Sequence, residues 1–258
     1  MSDRGQGKSP ARQTRGISPI FLLVLAVFAG IWWELATGRG GAIGVFAFVF
    51  MGWIISLCLH EWGHAVAAWF GGDRGVAEFG YLTLNPAKYA NPFVSLILPL
   101  AFLAVGGIGL PGGAVYVNTQ ALRGTGWRVA VSAAGPAMNF VFLIVIALAA
   151  RFAPMSDALA GALAFLAFVQ ATAFILNLLP IPGLDGFGII EPFFPEHERA
   201  AMAQIGSWVS LLFFVLILSV PQLLAPVWNV AQILSNAVGV DSGEIIYGYG
   251  LFRFWDAG

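Results

Sequence analysis

Charge is what this chain has least of. Its 258 residues include 12 lysines and arginines and 13 aspartates and glutamates, 10% of the total, where a soluble domain carries about 25%. That shortage excludes a solvated globular domain. The two signs nearly cancel, to a net charge of -1, and the few cations form no stripe that could follow a phosphate backbone. Nucleic acid is therefore not an expected partner. A single cysteine, Cys58, excludes an internal disulfide framework. No sequence repeat with a period of about 20 to 50 residues is visible, which excludes a solenoid, and no segment looks like an appended soluble domain. What is abundant is apolar: 59% of the residues are hydrophobic, gathered in long runs. The composition predicts an all-α polytopic membrane protein, with the lipid bilayer as its surroundings.

Residues 1–16 hold Arg4, Lys8, Arg12 and Arg15 among Gly, Ser, Gln and Pro, the composition of a disordered cytoplasmic tail. The run 17–33 is long enough to cross a bilayer, with Trp32 and Trp33 as interfacial anchors. A cleaved signal peptide is the competing reading, but no small-residue cleavage pattern is evident and another span follows at once. That second span is 42–59, and Gly71 and Gly72 stop its helix. The stretch 77–84 has aromatic and β-branched residues ahead of Asn85 and Pro86, and reads as a short strand or β-hairpin. Residues 93–110 are apolar but interrupted by Pro99, Gly106, Gly107 and Gly109. Segments 127–150, 157–179 and 205–220 are further spans; 228–240 lies at the interface or inserts partly, and 241–258 is a C-terminal tail with an aromatic end. About five to six transmembrane helices are expected, in one domain over 17–240.

Two of the only three histidines fall in the apolar run that follows the second span, in the pattern His60-Glu61-Trp62-Gly63-His64. A lone histidine on an apolar helix is more often a packed core residue than a ligand. Three ionisable groups within five residues strain that reading, because each costs several kcal/mol in hydrocarbon unless it is paired. On a helix, residues four apart project from one face, so His60 and His64 can take adjacent corners of a tetrahedral zinc. Glu61 is rotated away from the pair but remains beside it, within reach of a water at the metal as general base. Cys58, two residues before His60, points off that face and reads as packing. At about 1.5 Å per residue His60 lies roughly 27 Å along its helix, so the site is expected in the cytoplasmic half of a core about 30 Å thick.

A catalytic zinc needs a third protein ligand. The candidates are Glu34, Asp157, Asp185, Glu191, Glu196, His197 and Glu198. If the spans alternate, Glu34 and Asp157 fall at the opposite face, and 196–198 reads as a solvated loop. Asp185 stands in an apolar turn broken by Pro180 and Pro182, where an isolated carboxylate is expensive. For Asp185 to share a membrane half with His60, 93–110 must re-enter on its side of entry. Non-helical backbone at that depth is tolerated where it lines a cavity. Nine of the 12 cations then lie inside, as the positive-inside rule requires.

With His-Glu-Trp-Gly-His at 60–64, Gly-Pro-Ala-Met-Asn at 135–139 and Asn-Leu-Leu-Pro-Ile-Pro-Gly-Leu-Asp-Gly at 177–186, the chain resembles the site-2 protease family of intramembrane zinc metalloproteases. The resemblance covers a core of roughly 42–187, in a minimal form without recognisable PDZ or CBS domains. It implies one Zn2+ per chain held by His60, His64 and Asp185, with Glu61 as catalytic base. It also implies that Asn139 and Asn177 help position the substrate or the active-site elements. The implied partners are single-span membrane proteins such as anti-sigma factors or signal-peptide remnants. The reaction it implies is hydrolysis of a peptide bond in or near a substrate's transmembrane segment. Two rivals from other classes are a membrane metal-ion transporter, which needs a polar path across the whole membrane, and a catalytically silent scaffold, in which Glu61 has no task.

Overall fold

The computed structural model describes residues 16–89, 115–152 and 156–256. The expected re-entrant segment 93–110, like nearly all of the tail 1–16, lies outside the described residues. Helix α1 (Pro19–Ala36) starts on Ser18, whose Oγ accepts the Ile20 N–H at 3.2 Å, with a proline at its first position. Helix α2 (Gly41–Gly71) runs 31 residues, so the histidines sit in the second half of one continuous helix. Helices α4 (Thr125–Phe152) and α5 (Asp157–Asn177) follow a short α3 (Gly75–Glu78). These four long helices are each apolar enough to cross a membrane. The bent α7 (Glu196–Ser219) and the folded pair α8 (Ala225–Ala237) and α9 (Ser242–Phe252) raise the number to six if each counts as one span. The chain is a multi-pass helical membrane protein, as its composition predicts.

Helices α2, α4 and α5 form the core, and small residues set how close they come. A Cβ added at Gly63 on α2 would stand 2.8 Å from the Ala134 carbonyl oxygen on α4. One added at Gly248 on α9 would stand 1.9 Å from that of Gly161 on α5. Without a hydrophobic force between helices in lipid, such backbone approach is what packing has to work with. Beyond residue 240, where a tail is expected, α9 therefore docks against the core.

The end of α2 positions everything after it. Gly72 (φ 126°) stops the helix, and residues 121–123 return to the same place. The Arg123 N–H donates to the Gly71 carbonyl at 3.0 Å, and its guanidinium reaches the carbonyls of Phe70 and Gly71. An arginine thus satisfies the orphan carbonyls of a helix end. The segment 73–120 begins and ends at one end of the bundle.

The hairpin expected at 77–84 is not there. Its residues form α3 and a 3-10 turn (Tyr81–Thr83), and no strand is assigned among the described residues. Asp73 Oδ1 accepts the Gly75 N–H at 2.9 Å and starts a helical turn; the left-handed Gly80 and Leu84 then bound the 3-10 turn. Val76 and Tyr81 are buried one by one against the core rather than paired across strands.

Candidate metal centre

His60 and His64 share one face of α2, both buried, with ring centroids 4.7 Å apart. Helix α4 turns both rings the same way. The His60 Nδ1–H donates to Asn139 Oδ1 at 2.6 Å, and the His64 Nδ1–H donates to the Val131 carbonyl at 2.7 Å. With the ring protons committed there, each neutral imidazole presents a bare Nε2 to the space between the rings. The two Nε2 atoms are 3.1 Å apart.

Asp185 enters from the third side. Asn177 ends α5, the chain turns through Pro180 and Pro182, Gly183 takes φ 96°, and Asp185 opens the short α6 (Asp185–Ile190). Ser210 on α7 anchors this turn by donating from Oγ to the Pro182 carbonyl at 2.5 Å. Asp185 Oδ2 lies 3.2 Å from His60 Nε2, and Oδ1 lies 3.3 Å from His64 Nε2. Burial works to raise the Asp185 carboxyl, and imidazoles bearing a proton on Nε2 would outweigh it and hold the group below the usual carboxylate range. A cation in that position acts in the same sense.

Three sets of lone pairs converge with no proton assigned between them, and Asp185 Oδ2 is buried without a hydrogen-bond partner. A zinc with bonds of about 2.0 to 2.1 Å places tetrahedral ligands about 3.3 Å apart; the two Nε2 atoms are 3.1 Å apart, each has a different Asp185 oxygen at 3.2 or 3.3 Å, and one ligand atom from each residue lies within 4.8 Å of the others. The donor set and its spacing fit one zinc ion. Gly135 on α4 keeps the space open, since a Cβ there would stand 2.2 Å from His64 Nε2 and 2.6 Å from His60 Nε2.

Glu61, 3% exposed, stands beside the cluster. Its Oε2 accepts the Val115 N–H at 3.0 Å. Residues 115–118 belong to no helix or strand, and they are tied at the far end where the Asn118 N–H donates to Asp73 Oδ2 at 2.8 Å. A cavity of about 300 Å³ opens over the cluster, lined by His60, Glu61, His64 and Asp185 with Val115, Val117, Arg128 and Asn177 around them. Asn177, 2% exposed, lines it with a side-chain carboxamide that makes no hydrogen bond among the described residues. Asn139 sits elsewhere, behind His60, and it touches an active-site element rather than the cavity.

Among the described residues, His60, His64 and Asp185 form the group of three ligand-type side chains close enough to hold an ion. Glu191 stands on the cavity wall, while the His197 and Glu198 side chains are exposed at the start of α7. Ser56, Gln170 and Val115 take part in the site without being among the residues its motifs name. A polar Gln170 within apolar α5 is a legible signal; the Val115 contact is made by backbone and leaves no mark in the sequence.

No family model matches the chain, and no solved structure does. Curated relatives do. The chain is 44% identical over 255 residues, 96% of its length and 98% of theirs, to the "Putative zinc metalloprotease Rip2" of Mycolicibacterium smegmatis. It is 42% identical over 263 residues, 99% of its length and 98% of theirs, to the protein of the same name in Mycobacterium tuberculosis. A 33% identity over 176 residues, 63% of this chain and 76% of the other, links it to the "Putative zinc metalloprotease YwhC" of Bacillus subtilis.

Proposed function

Because the chain belongs to the site-2 protease family of zinc metalloproteases, we propose that it hydrolyses a peptide bond in or near the transmembrane segment of membrane-protein substrates. In this reading His60, His64 and Asp185 are the protein ligands of one zinc, and Glu61 is the general base. The observation that carries it is the convergence of the two Nε2 atoms, 3.1 Å apart, with the Asp185 carboxylate, whose oxygens lie 3.2 and 3.3 Å from them, both ring protons being turned outward and the buried Glu61 carboxylate standing beside. A bound zinc supplies Lewis acidity, polarising the scissile carbonyl and lowering the pKa of water.

The chain's own residues do the rest. Glu61 takes the proton of the attacking water and delivers it to the leaving amine, with the Val115 N–H fixing where the carboxylate stands. Asn177 offers its free carboxamide to the substrate backbone. A peptide bond inside a substrate helix is hydrogen-bonded and shielded, so the substrate has to unwind before it enters the cavity. Single-span proteins such as anti-sigma factors or signal-peptide remnants fit that requirement. The cluster lies at the end of the bundle where Arg74, Arg123 and Arg128 gather, which supports a cytoplasmic site and a cytoplasmic N-terminus.

The test is cleavage of a single-span substrate reconstituted with the purified protein, before and after chelation. Chelation abolishes cleavage and zinc restores it; cleavage that proceeds unchanged in the metal-stripped protein contradicts the reading.

A further inference from the structure

Behind His60, away from the cavity, lies a chain of buried polar groups that no step of the proposed chemistry uses. Asn139 Oδ1 accepts from His60, and Asn139 Nδ2 donates to Ser56 Oγ at 2.9 Å and to Gln170 Oε1 at 3.3 Å. The Ser56 hydroxyl donates to the same Gln170 oxygen. These groups come from α2, α4 and α5, and Gln170 is 0% exposed. Its Nε2 has no partner, so the residue's place in the core rests on its oxygen.

We propose that Gln170, with Ser56, is a positioning residue for the metal: its oxygen fixes which way the Asn139 amide faces, and the amide fixes which nitrogen of His60 is left for zinc. An amide can present either end. Two donors directed at Gln170 Oε1, one of them Asn139 Nδ2, leave only Asn139 Oδ1 for His60, and an acceptor there holds the ring proton on Nδ1. With Gln170 Oε1 gone, Asn139 is free to turn Nδ2 toward His60. The ring then carries its proton on Nε2, pointing into the donor cluster, and that lone pair is lost to the metal. The inference rests on the proposed reading of His60 as a ligand. It differs from that reading in naming residues that never approach the substrate.

The experiment is zinc affinity by chelator competition on the purified full-length protein, with thermal unfolding measured alongside. Groups that orient a metal-bound histidine change affinity by about 10- to 100-fold when removed, and Gln170, one residue further out, belongs at the lower end. Gln170→Leu weakens zinc binding about tenfold. Gln170→Glu, which keeps an acceptor oxygen in the same place, restores affinity to within about threefold of wild type. Ser56→Ala, which removes one donor without adding bulk, weakens it about fivefold, and it provides the reading should Gln170→Leu fail to assemble. Gln170→Leu or Ser56→Ala with unchanged affinity overturns the inference. So does an equal loss in Gln170→Glu and Gln170→Leu, which marks Gln170 as packing alone. A wild-type chain that binds no zinc contradicts the proposed function as well, whereas a zinc-binding wild type with indifferent variants contradicts the positioning role only.

Discussion

At the scale of residues, the site depends on what is absent as much as on what is present. Gly135 has no side chain where the two Nε2 atoms converge, and a Cβ there would come within 2.2 Å of one of them. Gly135→Ala is therefore expected to reduce zinc occupancy to roughly a tenth or less, as a lost ligand does, since a displaced imidazole cannot hold the tetrahedral spacing. Metal analysis of the purified variant checks this, and full occupancy would show that α4 can retreat. The same scale separates what the sequence discloses from what it hides. His60, Glu61 and His64 are legible because a helix puts residues four apart on one face, and Asp185 is legible because a carboxylate in a proline-broken apolar turn needs a reason. The pairing of Ser56 with Gln170 spans 114 positions, and nothing local in either residue announces the other.

Elements obey a different logic. The long apolar helices are readable because lipid leaves a spanning backbone almost no alternative: α4 and α5 begin and end within two residues of their apolar runs, and α2 runs on past 59 to the glycines expected to stop it. The turn at 77–84 is not, because β-branched and aromatic residues favour any half-buried surface and become a strand only with a partner. The Asp73 carboxylate, accepting the Gly75 N–H, turns the chain locally. Helix α9 is also hidden, since its aromatic and glycine-rich sequence suits an interfacial tail until Gly248 meets Gly161. Gly248→Leu is expected to lift α9 off α5 and lower the thermal midpoint in detergent by several degrees, on the scale of an overpacked helix contact. Zinc content should stay near one per chain, because α9 supplies none of the donors; loss of the metal in this variant would mean that the docking of α9 shapes the site.

For the whole molecule, the decisive property is which end of the bundle faces the cytoplasm. The donors, the returning residues 121–123 and the start of α7 occupy one end, while the turn between α1 and α2 occupies the other. Gly124 and Gly38 have open space around an added Cβ, although each has a positive φ. In a Cys58→Ser background, Gly38→Cys should react with a membrane-impermeant thiol reagent in intact cells, and Gly124→Cys only after the cells are opened. The reverse pattern would place the site on the outer side and contradict the count of nine cations inside.

That three donors, one metal and one base make a protease is tested most directly by Glu61→Gln. The amide keeps the volume and the contact with the Val115 N–H but cannot take a proton at neutral pH. Zinc content and cleavage of the same single-span substrate, measured on one preparation, should give one zinc per chain with activity lowered by a factor of about 100 or more. Cleavage within about tenfold of wild type, with zinc bound, would contradict the account, because proton transfer by a positioned base contributes at least about a hundredfold.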